Sequence, residues 1–197
     1  RTEPESLAHL AALSIHTVID VGANTGQFAR EARAVLPEAR IISFEPLPDC
    51  YEELCASFAG DSRFTAFNLA LGEKAETATM YRSSYAPSSS LRSMAPLHKK
   101  LFPHTATETP IKVAVKRMDD ALAGTECAPP LLIKIDTQGY EDQVLAGGPA
   151  TLAKAHAVLV EASFVPLYEG QSLFADLYAL LTSKGFVYRG ALHQKKN

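Results

Sequence analysis

Cysteine is scarce in this chain. There are three in 197 residues, Cys50, Cys55 and Cys127, and no two form a C-x-x-C pair. An odd, scattered set excludes a disulfide framework and a cysteine-based zinc site, and it predicts reduced thiols in a cytoplasmic setting. Positive charge is not in excess either. The formal net charge is −3, which gives no electrostatic footprint for duplex nucleic acid, and no nucleic-acid partner is expected. No apolar run approaches the ~20 residues of a membrane span, so no membrane partner is expected. No signal peptide is visible, and the sequence starts at Arg1 rather than Met, so a leader could have been removed. Internal repeats and long linkers are missing too. With 47% apolar and 21% charged residues, the composition is that of a globular chain, and a single domain over 1–197 is expected.

Periodicity supplies the elements. Residues 4–14 carry leucines at helical spacing and predict a short leading helix. TVIDV (17–21), RIISFEP (40–46), RFTAFNLAL (63–71), LLIKID (131–136), AVLVEASF (157–164) and FVYRGAL (186–192) read as strands. Amphipathic helices are predicted at 27–36, 49–58 (with Asp49 as N-cap), 140–155 and 172–184, the third broken near Gly147 and Gly148. Strands alternating with helices predict an α/β fold with a doubly wound, mostly parallel, Rossmann-like sheet. Residues 76–82 and 111–118 alternate, with no convincing helix between them and the third strand, and predict an antiparallel pair added between the third and fourth parallel strands. The 28 residues from 83 to 110 (SSYAPSSSLRSMAPLHKKLFPHTATETP) are long for a loop and predict a lid, a binding loop or a mobile segment.

The first strand runs into a tight glycine turn, VIDVGANTGQF (18–28). In open α/β sheets ligands lie beyond the carboxyl ends of the strands, at the switch point. Glu45 ends the second strand 19 positions after Gly26 (45 − 26 = 19), the spacing of a carboxylate that accepts from ribose hydroxyls. A dinucleotide site would need glycine where Asn24 stands, because the pyrophosphate must approach the backbone there. D-x-G-x-N-x-G suits S-adenosylmethionine instead, with Asp20 and Glu45 adding negative charge near a cationic ligand. The alternative is that the glycines only allow tight strand–helix packing.

Four segments together resemble the FkbM-type S-adenosylmethionine-dependent methyltransferases. VIDVGANTGQF resembles the first motif of that family and ISFEP the second. LIKIDTQGYEDQVLAGG resembles the hallmark K-I-D-x-E-G-x-E followed by V-L-x-G. EASFVPLYEGQ resembles the segment after the next strand. Gln138 stands where the hallmark has glutamate. Such folds continue into a final antiparallel strand, and the chain stops soon after FVYRGALHQ, so that strand is expected to be missing or disordered. The resemblance implies O-methylation of a hydroxyl on a small acceptor, a sugar or natural product.

Methyl transfer requires a group that aligns the acceptor oxygen and takes its proton. Asp136, at the end of the fourth parallel strand, is the first choice, with a helix N-cap near Tyr140 as its structural alternative. Glu161 ends the next strand and faces the same crevice. Lys134 lies on the same side of its strand as Asp136; it either contacts substrate or pairs with Asp136 or Glu161. The catalytic candidates are therefore Asp136, Glu161 and Lys134. The cofactor-binding candidates are Asp20, Gly22, Ala23, Asn24, Gly26, Glu45, Pro46, Asn68 and Asp136. Glu141 either acts at the site or favours the helix dipole. His98 and His104 are alternative bases if the long segment closes, or are simply solvated. LHKKLFPH, with Arg92, could attract an anionic substrate, or be a solvated charge run. Asp136, Gln138, Glu141 and Glu161 could offer oxygen ligands to a magnesium-like ion, but their spacing is not diagnostic and no metal is assigned. Two other readings compete: a nicotinamide-dependent oxidoreductase, and a non-catalytic cofactor-binding or scaffold protein.

Overall fold

A computed structural model describes residues 7–192. Residues 4–6 of the expected leading helix lie outside that range, and Leu7–Leu13 form a 3-10 helix. In chain order the further elements are β1 (Thr17–Val21), α1 (Gln27–Val35), β2 (Arg40–Phe44), α2 (Pro48–Ser57), β3 (Phe64–Phe67), β4 (Ala70–Leu71), β5 (Glu76–Ser83), α3 (Pro96–Leu101), β6 (Glu108–Lys116), α4 (Met118–Ala121), β7 (Leu131–Ile135), α5 (Glu141–Ala146), α6 (Pro149–Leu152), β8 (Ala155–Val160) and α7 (Phe174–Ser183).

Five parallel strands form the main sheet in the order β3-β2-β1-β7-β8. Both faces are covered, which is why these strands read as near-continuous apolar runs. Alternate residues divide between two cores. Ile19, Val21, Ile42, Phe44, Ile133 and Ile135 pack toward Val144, Leu152 and Leu177. Val18, Ile41 and Leu132 pack on the other face against Ala29 and Ala32 of α1 and Leu54 of α2. The strand order reverses between β1 and β7, so the turn after β1 and the loop after β7 open into one crevice.

The expected third strand splits in two. β3 pairs with β2 through Phe67, and after two residues the chain joins a second sheet, β4-β6-β5. β5 and β6 form the expected antiparallel pair, but their third partner is β4, not the main sheet. Met80, Val113 and Val115 pack with Leu47 and Cys50 at the start of α2, giving this sheet its own core. Arg82 of β5 donates two 2.6 Å bonds to the Asp49 carboxylate. That contact corrects the expected N-cap. The cap position is Leu47, Pro48 opens the helix, and Asp49 lies inside its first turn.

One further expectation changes. Residues 186–192 form no strand. Phe186 packs on the core, but Val187 and Tyr188 are exposed, and a strand needs a ladder partner that this stretch does not find among the described residues. The helix expected over 140–155 breaks at Gly147 and Gly148, as the glycines suggest; a Cβ at Gly147 would lie 1.9 Å from the Gly72 carbonyl oxygen.

The segment 83–110 is far from featureless. It contains α3 and two 3-10 turns, and buries Ser83, Ser89, Ser90, Met94, His98 and Thr105. Isolated bridges tie Ser90 to Tyr81 and Met94 to Tyr168. Backbone amides of Ser90, Ala95 and Phe102 donate to Tyr81, Leu167 and His98. These bonded amides should exchange slowly in the ligand-free protein. Native-state hydrogen exchange checks this; rapid exchange across the whole segment would instead make it a mobile loop.

Candidate active site

The glycine turn has an unusual backbone. Gly22, Asn24 and Gly26 all have positive φ, at 77°, 49° and 92°. The Gly22 and Ala23 N–H groups donate to the Phe44 carbonyl and tie the turn to β2, and the turn leads into the N-terminus of α1, which has no side-chain cap. Gly22 is required for a second reason. A Cβ there would fall 1.9 Å from the Asp136 carbonyl oxygen, so the loop after β7 passes directly over the turn.

Asp20 and Lys134 are register partners on β1 and β7. Asp20 has no exposed surface, and its Oδ1 is 3.1 Å from Lys134 Nζ. Lys134 Nζ also donates to the Gly22 carbonyl at 2.9 Å. Burial pushes the Asp20 carboxyl above its usual range, opposed by Lys134. Burial disfavours the Lys134 cation, but Asp20 and Asp136 outweigh it and hold the ammonium above its usual value. Lys134 therefore pairs with Asp20 rather than with Asp136 or Glu161. Asp20 lies beneath the crevice rather than in its lining and anchors the lysine that steadies the turn.

Glu45 lies 4% exposed beside this turn. Its Oε2 accepts the Asn24 N–H at 2.7 Å and its Oε1 accepts the Leu47 N–H at 2.8 Å. Burial raises its carboxyl to about 7 despite those donors. Asn68 donates from Nδ2 to the carbonyls of Glu45 and Pro46, bracing the end of β2.

Across the crevice, Gln138 sits at φ 56° after β7. Its Nε2 donates to Asp136 Oδ1 at 2.7 Å and to Glu161 Oε2 at 2.6 Å. Its Oε1 accepts from the Tyr168 hydroxyl at 2.9 Å, which also lies 3.0 Å from the Ser88 carbonyl. Ser90 Oγ donates to the Gln138 carbonyl at 2.7 Å. Burial raises the Glu161 carboxyl, and the Asp136 charge raises it further. Glu161 keeps open surface toward the crevice, so solvent tempers the shift without reversing it.

A sequence profile of the methyltransferase FkbM domain matches residues 20–188. The chain belongs to the FkbM methyltransferase family. It is 30% identical over 175 residues to 2-O-methyltransferase NoeI of Sinorhizobium fredii (strain NBRC 101917 / NGR234), covering 84% of this chain and 71% of that one. It is 27% identical over 194 residues to methyltransferase sdnD of Sordaria araneosa, covering 86% and 73%. A solved structure of methyltransferase FkbM from Methylobacillus flagellatus KT has the same fold, with a TM-score of 0.57 at 17% identity. That match covers 86% of this chain, which spans 37% of the solved one. The family and the relatives support the class that the resemblance implies, an S-adenosylmethionine-dependent O-methyltransferase, rather than an oxidoreductase.

Within this FkbM domain, Gly22, Ala23, Asn24, Glu45, Pro46, Asp136 and Glu161 line one crevice. Gly26 holds the N-cap position of α1, and Asn68 braces the backbone of Glu45 and Pro46. Asp136 is not the N-cap of α5; Tyr140 holds that position. Glu141 is buried, and its Oε1 accepts from the Thr137 and Gly139 N–H groups and the Thr137 hydroxyl, so Glu141 shapes the loop. His98 is buried, not solvated. Its Nε2 is 3.0 Å from Thr105 Oγ1, its ring packs against Tyr168, and burial lowers its proton affinity. Arg92 pairs with Asp142 at 3.1 Å and bonds the Glu169 and Gly170 carbonyls, so it is not free to attract an anion. Among the described residues, no group of three or more His, Cys, Asp or Glu is placed to hold a metal ion, and no helix is long and apolar enough to cross a membrane. Residue-level reading missed Tyr168 and Ser90. Each is one polar residue among many in its segment, and only the fold brings it to Gln138.

Lys134→Met would leave Asp20 buried without its counter-charge and should cost about 3–5 kcal/mol in urea unfolding. The double variant Asp20→Asn/Lys134→Met should recover much of that loss. Strictly additive effects would mean that the two residues are not coupled.

Proposed function

We propose that this domain binds S-adenosylmethionine across the Gly22–Gly26 turn and transfers its methyl group to a hydroxyl of a small acceptor, a sugar among the candidates. The observation that carries the reading is the left-handed turn with Glu45 on one side of the crevice and the Asp136–Gln138–Glu161 cluster on the other. The residues suit the cofactor. Each Glu45 oxygen accepts one backbone N–H and keeps a further lone pair, enough for two ribose hydroxyls. The free N–H groups at the start of α1 suit a carboxylate. The sugar assignment rests on the family resemblance; the relative named as a 2-O-methyltransferase supports oxygen as the acceptor atom.

When bound, S-adenosylmethionine supplies an electrophilic methyl on a sulfonium, so the protein's task is alignment and proton removal. Asp136 and Glu161 form the polar end of the crevice, where an acceptor hydroxyl can donate to a carboxylate. With the cofactor supplying the methyl group, this pair would take the proton that the acceptor hydroxyl gives up. Tyr168 and Ser90, the latter from the segment 83–110, brace Gln138 beside the pair.

Calorimetry with S-adenosylhomocysteine tests the cofactor site. Glu45→Ala should weaken binding by ~1.5–3 kcal/mol, the scale for losing charge-assisted hydrogen bonds. Because the free carboxyl sits at about 7 and the ribose bonds favour its charged form, binding should release a proton below that pH. Affinity should then rise with pH up to about 7, by at most about tenfold per unit, and level off above. Unchanged affinity in Glu45→Ala, or a flat pH profile, would remove the ribose assignment.

Asp136→Asn tests the chemistry. Asp136 is neither a helix cap nor the partner of Lys134, so the variant should melt like the parent and bind S-adenosylhomocysteine equally well. Turnover with a methylatable acceptor should fall by ~10²–10⁴-fold. A stable, fully active variant would move the role of base to Glu161.

A further inference from the structure

We infer that Gln138 is a positioning residue whose neutral amide clamps Asp136 and Glu161 together as one acid–base pair facing the acceptor. This rests on the functional reading above for what the pair does, but the clamp itself is a matter of geometry.

One –NH₂ group donates to two carboxylates, at 2.7 and 2.6 Å. An amide nitrogen has two hydrogens, so both are used and each carboxylate receives one. The other end of the amide is fixed as well, because Oε1 lies 2.9 Å from the Tyr168 hydroxyl. Tyr168 cannot drift: it is 2% exposed, its ring packs against His98, and Gly139 leaves it no slack, since a Cβ there would come within 2.9 Å of Tyr168 Cβ. The backbone of Gln138 is held in the left-handed region and tied through its carbonyl to Ser90. Gln138 is thus fixed at its backbone and at both ends of its side chain.

The residue type matters. The hallmark pattern of the family has glutamate at this position. Here a glutamate would set a third carboxyl against two others and could donate at most one hydrogen, and only when protonated. The amide donates to both without adding charge. The charged and titratable groups around the pair are few. Asp136 follows β7, Glu141 lies in the first turn of α5, Lys134 on β7 is engaged by Asp20, and Tyr168 comes from the loop after β8. Among the described residues, only Gln138 donates to Asp136 and Glu161 at once.

The test reads the carboxyls directly and needs no acceptor. In protein labelled with ¹³C at the glutamate carboxyl, the Glu161 resonance, assigned by its loss in Glu161→Gln, is followed against pH. Gln138→Asn suits the left-handed backbone but is one methylene shorter, so its amide cannot span both carboxylates. Losing a donor to the charged form favours the protonated one, so the Glu161 midpoint should rise by about one pH unit. Gln138→Glu should raise it further. Tyr168→Phe keeps the ring and removes only the hydroxyl that fixes the amide, and should shift the midpoint in the same direction by less. A Glu161 midpoint that stays put or falls in Gln138→Asn and Tyr168→Phe overturns the clamp. S-adenosylhomocysteine affinity should be the same in Gln138→Asn as in the parent, because Gln138 does not touch the Gly22–Gly26 turn. Failure of the parent chain to bind S-adenosylhomocysteine would remove the functional reading and leave the clamp standing, so the two failures are distinguishable.

Discussion

The arrangement depends on one buried ion pair. Asp20 and Lys134 face each other across the strands where the sheet changes direction. The pair lies under the crevice, so its charges are taken out of water at the point where the chain must build a polar site. Lys134 also donates a hydrogen bond to the Gly22 carbonyl. The turn is thereby fixed from below, while the Asp136 backbone closes over it from above. Buried pairs seldom add net stability over apolar packing. Here the pair links two strand ends whose relative position decides where Glu45 and Asp136 sit.

Both sides of the crevice are held by backbone as much as by side chains. Glu45 is oriented by two N–H groups and by Asn68 bonding its own carbonyl. Glu141 gathers three donors from the loop after β7 and so fixes the left-handed step at Gln138. A carboxylate in the first turn of a short helix thus serves loop geometry, and the hallmark segment is a structural unit.

Much of this was legible in the sequence. The five main strands carry continuous apolar runs because both faces are buried, and the glycine turn followed by an acidic residue gave the crevice its place. What escaped were relations between distant segments. A lysine in a buried strand announces a partner but not which one, and the register of β1 against β7 chose Asp20 over Asp136. The apolar run 63–71 reads as one strand because periodicity does not reveal that the chain changes sheets at Asn68. Residues 186–192 have strand composition without a ladder partner among the described residues. Asp49 has the chemistry of a cap, but Pro48 takes the first helical position and Arg82 takes the carboxylate. Tyr168 and Ser90 carry no local signal at all.

The second sheet has a further consequence for how such a domain can change over time. β5 and β6 pair along their length up to Ser83 and Glu108, so the ends of the intervening segment are already held side by side. Chain added between them pays little closure entropy, roughly 0.6 kcal/mol for each doubling of length. The same segment borders the Asp136–Glu161 side of the crevice and is pinned to it at a few points, Ser90 and Met94 among them. Lineages can therefore lengthen, shorten or rewrite this stretch and alter what the crevice admits, while the parallel sheet and its glycine turn keep their register untouched.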